Sequence, residues 1–280
     1  MRLYIAFFAL ALLGAQPTTA SEAVVTAAVN PPTTASAEVM RSMGLDQLFV
    51  QFGRNMAGGP RGQGVTDEDF LAAWEGVTRD IFAREELNSR LVRMLDRGLD
   101  ASELARVQDF LASPFGNRVT RLEQQAQATP PEGQIAAIAR GQTLYLKAAA
   151  ERRALLEELL ALSGAEVTFA MLGESIRGMA IGRHLLAQGD FDIPWEEIDA
   201  LVAARLAGMR QSLAEASRGA LALTYHELSD AELTAYLEFL RTPATRKFYT
   251  VTSMTVGALI RESMFTLGED MAARLQRVDI

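Results

Sequence analysis

The chain has 280 residues, and 49% of them are apolar, which is enough for a substantial core and argues against a disordered protein. Cysteine is absent, so neither a disulfide framework nor a lipid-anchored cysteine is available. Acidic residues outnumber basic residues by 35 to 27, a balance that disfavours nucleic acid or an anionic lipid surface as the main partner.

Residues 1–20 have the composition of a secretory signal peptide. Arg2 supplies the charged start, residues 3–13 form the apolar stretch, and Ala20 ends a small-residue cleavage site. The alternative is an N-terminal membrane anchor, but the apolar run is shorter than the roughly 20 residues that a membrane span needs. We therefore predict cleavage after Ala20, a periplasmic location and no stable membrane span afterwards. A cysteine-free protein suits that oxidising compartment.

One stretch of the chain occurs twice. Residues 99–119 align without a gap with residues 228–248, and a weaker similarity relates the segment after Glu38 to the segment after Glu158. We predict a signal peptide at 1–20, a flexible tether at 21–37, a first helical repeat at 38–128, a linker helix at 129–157 and a second repeat at 158–280. The aligned stretch pairs Leu99 with Leu228, Glu103 with Glu232, Leu104 with Leu233, Phe110 with Phe239, Leu111 with Leu240 and Pro114 with Pro243.

Each copy of the repeated stretch predicts a capped helix, a sharp corner and a second helix. Asp100 and Glu103 have the spacing of a capping box, in which each side chain accepts a backbone amide of the other residue. Pro114 ends the first helix, and Ser113 can cap the next one. A kink within one continuous helix is the alternative. The second copy repeats the pattern with Ser229, Glu232, Thr242 and Pro243.

The corner sequence resembles a family of secreted bacterial proteins that is catalogued as a domain of unknown function. Its members typically have a signal peptide and an all-helical domain that ends in a phenylalanine-x-x-serine-proline-x-glycine signature. Phe110, Ser113, Pro114 and Gly116 match this signature. Phe239, Thr242 and Pro243 match it in the second copy, where Thr245 replaces the glycine. The resemblance implies a fold and a compartment, and it carries over no catalytic residue.

The apolar residues recur at helical spacing throughout the chain. Residues 134–163 read as one long helix or two, and the chain after Pro243 is predicted to stay helical towards Val278. The predicted fold is all-α, with two tandem multi-helix copies packed as helix pairs and joined by a long helix. One stripe after the second corner is long enough to lie across both copies, and it consists of Val256, Ile260, Met264, Leu267, Met271 and Leu275.

The residues that could carry chemistry are few. His184 precedes Asp190 and Asp192, so a metal-assisted hydrolase can be imagined, but one histidine with loop acids is a weak zinc pattern. No cofactor and no metal site is predicted. Arg118 and Lys247 occupy equivalent positions one turn after each corner. They could grip an acidic partner or a carboxylate, and the alternative is that they are ordinary helix-packing bases.

The sequence thus favours a non-catalytic periplasmic protein that binds an unknown envelope protein through helical surfaces. The first alternative is a carrier of an apolar small molecule or lipid between the two halves, suggested by stripes that contain methionine and aromatic residues. The second alternative is the hydrolase with His184, Asp190 and Asp192.

Overall fold

The computed structural model describes residues 35–62, 65–129, 131–162, 172–173, 177 and 195–275. This part of the chain is helical and contains no strand, which confirms the predicted all-α class. The predicted signal peptide, residues 21–34 of the predicted tether and the segment from His184 to Asp192 lie outside the described residues. Residues 35–37 were predicted as tether and instead begin the first helix.

The N-terminal half, residues 35–147, contains eight helices among its described residues. Helix α1 ends before Gly44, whose left-handed backbone (φ 63°) suits glycine, and a 3-10 turn follows at Leu45–Gln47. The helices are α1 (Ala35–Ser42), α2 (Leu48–Ala57), α3 (Gly59–Gly62), α4 (Glu68–Phe82), α5 (Glu85–Gly98), α6 (Ala101–Ala112), α7 (Pro114–Gln127) and α8 (Pro131–Lys147).

Among its described residues, the C-terminal half, residues 150–275, contains two helices of 30 and 33 residues, which are longer than any helix described in the N-terminal half. The predicted helical segment at 134–163 is two helices, because the chain turns at residues 148–149. After the second corner the helix continues to Leu275, as the apolar stripe predicts. The helices whose bounds are described in this half are α9 (Ala150–Leu162), α10 (Trp195–Thr224), α11 (Asp230–Arg241) and α12 (Pro243–Leu275).

Both proline corners separate two distinct helices. Ser113 and Thr242 have extended backbone conformations (ψ 153° and 143°), so each corner is one residue long and the alternative of a kinked continuous helix is wrong. The hydroxyl of Ser113 accepts the amide of Gly116 at 2.9 Å, and the hydroxyl of Thr242 accepts the amide of Thr245 at 3.3 Å. These bonds satisfy amides at the helix start that have no partner within the helix.

The first hydrophobic core belongs to both halves. Helices α1, α2, α4, α5 and α6 contribute large apolar side chains such as Phe49, Phe52, Trp74 and Leu95. Helix α12 runs along α4, α5 and α6 and supplies the remaining side of this core. Its buried residues there are Phe248, Val256, Leu259, Ile260, Met264, Leu267 and Met271. The C-terminal helix is therefore packed on the N-terminal half.

The second hydrophobic core shows the converse arrangement. It is built from α9, α10 and α11 with side chains such as Leu159, Leu221 and Leu237. Helix α7, which follows the first proline corner, contributes Val119 and Leu122 to it. The helix after each corner thus leaves its own half and completes the core of the other half.

Helix α8 and helix α10 meet at a pair of glycines. The backbones of Gly141 and Gly219 approach so closely that a methyl group on Gly141 would overlap the carbonyl oxygen of Gly219. Ile138, Ala216 and Ala220 are buried in a small apolar cluster on the same two helices. Small residues are required here because any larger side chain would push the two helices apart.

We expect Gly141→Ala to destabilise the protein by about 1–3 kcal/mol, since overpacking forces the α8 and α10 backbones apart. Gly208→Ala is the matched control, because Gly208 lies on α10 with nothing within 4 Å of the added methyl group. It should stabilise by about 0.5–1 kcal/mol through helix propensity. Urea unfolding followed by circular dichroism measures both changes, and equal effects of the two variants would contradict the glycine contact.

Candidate functional site

The two proline corners lie against each other, and residues that the sequence alignment pairs meet there. The rings of Phe110 and Phe239 stack with centroids 3.6 Å apart and planes inclined by 8°. Tyr236 extends the stack on Phe110 at 5.9 Å, and Phe115 packs on Phe110 edge to face at 6.0 Å. We call this region the corner junction, and we define it by the residues Glu103, Phe110, Arg118, Glu232, Phe239 and Lys247.

The two predicted cationic residues form reciprocal contacts across the corner junction. Arg118 forms an ion pair with Glu232 and donates a second hydrogen bond to the carbonyl of Glu227 at 2.8 Å. Lys247 donates to both carboxylate oxygens of Glu103 at 2.9 and 2.7 Å. Each cation therefore forms an ion pair with the capping glutamate of the opposite half. The predicted cationic pair holds carboxylates, and these carboxylates belong to the chain itself.

The capping glutamates serve two purposes at once. Glu103 accepts the amide of Asp100 at 2.9 Å, and Glu232 accepts the amide of Ser229 at 2.8 Å, so both predicted capping boxes are present. The hydrogen bond from Lys247, followed by the amide of Asp100, lowers the pKa of Glu103 below its ordinary 4.5. The amide and hydroxyl of Ser229 lower the pKa of Glu232, and the charge of Arg118 adds to this.

The first corner is tighter than the second. A methyl group on Gly116 would overlap the carbonyl of Phe110 in the preceding helix, so glycine is required by a close backbone approach. At the equivalent position of the second corner, the hydroxyl of Thr245 hydrogen-bonds the hydroxyl of Thr242 at 2.8 Å. The departure from the signature at Thr245 therefore coincides with a different local packing.

A buried carboxylate beside the corner junction was missed by the sequence analysis. Glu123 on α7 is only 3% exposed, and its Oε1 accepts the hydroxyls of Tyr225 and Tyr236, each at 2.8 Å. A signal was available, because Glu123 lies one turn after the buried Val119 and next to the buried Leu122. An acid on the apolar face of a helix indicates a buried polar contact.

The cavity at the corner junction is small. It has about 10 Å³ open to the centre of a water molecule, which is room for about one water. This size disfavours the predicted carrier of an apolar ligand at this place between the halves. Its lining includes four pairs that are matched in the sequence alignment, namely Val107 and Tyr236, Phe110 and Phe239, Val119 and Phe248, and Thr120 and Tyr249.

A second polar cluster connects α8, α9 and α10. Glu157 accepts a hydrogen bond from the hydroxyl of Tyr145. Arg218 donates to both carboxylate oxygens of Glu157, from Nε to Oε1 at 2.7 Å and from Nη2 to Oε2 at 3.2 Å. The hydrogen bond from Arg218 lowers the pKa of Glu157, and the hydrogen bond to Glu157 raises the pKa of Tyr145. The acid is already matched by a cation and a phenol, so the cluster is a structural tie between three helices.

Metal chemistry has no site within the described part of the chain. No three histidine, aspartate or glutamate side chains lie close enough together there to hold a metal ion. His226 lies near the end of α10, with Nδ1 2.6 Å from the carbonyl of Leu223. The predicted hydrolytic residues His184, Asp190 and Asp192 lie outside the described residues, so that alternative stays untested.

No protein-family model, curated protein or solved structure matches this chain. The resemblance to the secreted helical family therefore depends on the corner motif alone and stays a prediction. Within the residues that the structure describes, every helix is too short or too polar to cross a membrane.

We expect the charges of Glu103 and Glu232 to make the corner junction sensitive to acid. Both carboxyl groups have lowered pKa values in the folded protein. Their stabilising effect is therefore complete above the ordinary value of 4.5 and is lost as the pH falls through the lower folded values. The double variant Glu103→Gln and Glu232→Gln should lose less stability than the wild type between pH 7 and pH 3.

Urea midpoints at both pH values measure this difference. Glu269→Gln is the control, because Glu269 is an exposed carboxylate on α12 away from the corner junction. It should follow the wild type at both pH values. Parallel acid sensitivity of the wild type and the double variant would show that the lowered pKa values do not stabilise the fold.

Proposed function

We propose that this chain is an exported, non-catalytic helical protein that binds a partner protein through the outer faces of α8 and α12. The observation that carries the proposal is a recurring pattern of exposed apolar side chains. Ile135 and Leu146 on α8, and Met254 and Phe265 on α12, each expose half or more of their surface. Both pairs are spaced by 11 residues, which places the two members on one helix face about three turns apart.

These apolar pairs have no role in the two hydrophobic cores. Exposed apolar groups that recur along one face are typical of interaction sites, whereas scattered single ones are common on any surface. The polar residues singled out at the corners, in contrast, are engaged within the chain. Binding through a helix face is therefore better supported than chemistry at the corners.

The export part of the proposal is supported by residues 1–20 and by the corner motif of the secreted family. We further propose that the two halves are copies of one unit. Equivalent residues contact each other at Phe110 and Phe239, and the contacts of Arg118 and Lys247 are related by the same exchange. If the gapless alignment of the corners is continued along the chain, the residues of α8 align with the last part of α12. The first copy would then extend to residue 147, and the linker would shrink to residues 148–149.

The export proposal predicts that the full chain, expressed in a Gram-negative host, is recovered by osmotic shock without residues 1–20. The intact mass should correspond to a chain that begins at Ser21. Leu10→Arg with Leu12→Arg interrupts the apolar stretch and should leave the whole chain in the cytoplasm. An uncleaved wild-type chain in the cytoplasm would contradict the export proposal.

The binding proposal predicts that a protein retained by the wild-type chain in a periplasmic extract is lost in the variant Ile135→Ser with Leu146→Ser, or in the variant Met254→Ser with Phe265→Ser. We expect at least a tenfold loss, because two buried apolar side chains contribute about 1.5–3 kcal/mol each. Quantitative mass spectrometry of the retained proteins measures it.

Thr143→Ser with Glu269→Gln is the matched control, since it changes exposed polar residues of the same two helices. Circular dichroism shows whether each variant keeps the fold. Retention that is equal in all variants would contradict binding through these faces, and native mass spectrometry showing lipid instead of protein would favour the carrier.

A further inference from the structure

The turn between α8 and α9 interrupts a sequence that strongly favours helix. Helix α8 ends at Lys147 and α9 begins at Ala150. The sequence across the turn is Lys-Ala-Ala-Ala-Glu-Arg-Arg, with three consecutive alanines and neither glycine nor proline. Alanine has the highest helix propensity, and the glycine, asparagine and proline that commonly end helices are absent from the turn. The turn is therefore imposed by the packing of the two halves and not by the sequence at the turn.

Two backbone hydrogen bonds, from Ala148 to Tyr145 and from Arg153 to Ala149, and a few side-chain contacts hold the turn itself. Arg153 donates to the carbonyls of Ala148 at 3.0 Å and Leu146 at 3.5 Å, which occupies carbonyls that the end of α8 leaves without helical partners. The hydroxyl of Tyr145 donates to Glu157 across the turn. The contact of Arg153 with Leu146 and the contact of Tyr145 with Glu157 each join one residue of the N-terminal half to one residue of the C-terminal half.

The larger contacts also join a residue of the N-terminal half to a residue of the C-terminal half. The stack of Phe110 on Phe239, the ion pair of Arg118 and Glu232, and the contact of α8 with α10 each join residues 35–147 to residues 150–275. The N-terminal half of one molecule could make all of them with the C-terminal half of a second molecule. Exchange of an element between identical chains through an opened hinge is a common route to dimers.

We propose that the turn at residues 148–149 is a hinge and that the partner of the opened chain is a second copy of the same chain. In the open form, α8 and α9 become one helix over residues 131–162, about 48 Å long. Each half then packs on the complementary half of the other molecule. The alanines of the turn gain helical hydrogen bonds, and the contacts of the two cores are recreated between chains. This inference goes beyond the proposed binding function and does not depend on it.

The test uses the full chain, unfolded in urea and refolded at low and at high protein concentration. Size-exclusion chromatography with light scattering should show a dimer whose share rises with the refolding concentration. The dimer should persist on dilution, because its conversion to monomer requires both cores to open.

A zero-length cross-link identifies the exchange. A carbodiimide joins the Lys247 ammonium to the Glu103 carboxylate, 2.7 Å away, as an amide with loss of water. The link lies within one chain in the monomer and joins two chains in the exchanged dimer. Dimer refolded from a mixture of ¹⁴N and ¹⁵N chains should therefore yield cross-linked peptide pairs of mixed isotope. Lys247→Arg removes the reactive amine and is the control.

Two variants shift the equilibrium in opposite directions. Ala150→Pro places proline at the first position of α9, where it fits the turned form, whereas in the continuous helix the ring would lie in the interior. It should lower the dimer share by about tenfold or more and leave the circular dichroism of the monomer unchanged. Arg153→Ala removes the contacts of the turn and should raise the dimer share.

The proposal is wrong if the wild type refolds only as a monomer at every concentration. It is also wrong if the dimer gives cross-links of one isotope only, because such a dimer associates through its surface. A dimer share that Ala150→Pro does not change excludes the hinge at residues 148–149. These results are separate from those of the binding proposal, because its variant Met254→Ser with Phe265→Ser changes residues that belong neither to the turn nor to the two cores.

Discussion

The crossing of helices after the proline corners is the constraint on which the rest of the structure depends. Pro114 and Pro243 end one helix and begin the next after a single extended residue, so the following helix must leave in a new direction. Helix α7 then completes the core of the C-terminal half, and α12 completes the core of the N-terminal half. Each core therefore includes buried apolar side chains from both halves, and separating the halves would expose them to water.

The polar groups near the corners follow from this crossing. Each capping box places a carboxylate at the start of its helix, and the helix arriving from the other half brings a cation to the same place. Glu103 and Glu232 therefore have both local and long-range partners, with Lys247 and Arg118 on the opposite halves. Glu123 is buried for the same reason, since α7 carries it into the core that contains Tyr225 and Tyr236.

The sequence could predict whatever depends on nearby residues. The helical class, both capping boxes, the one-residue corners and the apolar stripe of α12 all have local causes, and the structure agrees with them. It could not predict that the corner helices cross, because an apolar stripe does not identify the core that buries it. The turn at residues 148–149 was not resolved for a related reason, since alanine favours a helix there and only packing breaks it. The glycine contact of α8 and α10 also joins residues that are distant in sequence.

The two halves differ at several positions that the sequence alignment pairs, and these differences determine which half each one can pack against. In the N-terminal half a break after Phe82 separates α4 from α5, and a break after Gln127 separates α7 from α8, whereas α10 and α12 run without interruption. Gly116 has Thr245 as its counterpart, and the buried Glu123 has the buried Thr252. Two N-terminal halves brought together would place Glu123 where Tyr225 and Tyr236 are missing, so its carboxylate would lose both donors. These differences between the halves therefore favour pairing with the complementary half, and this preference is the same whether that half belongs to the same chain or to a second one.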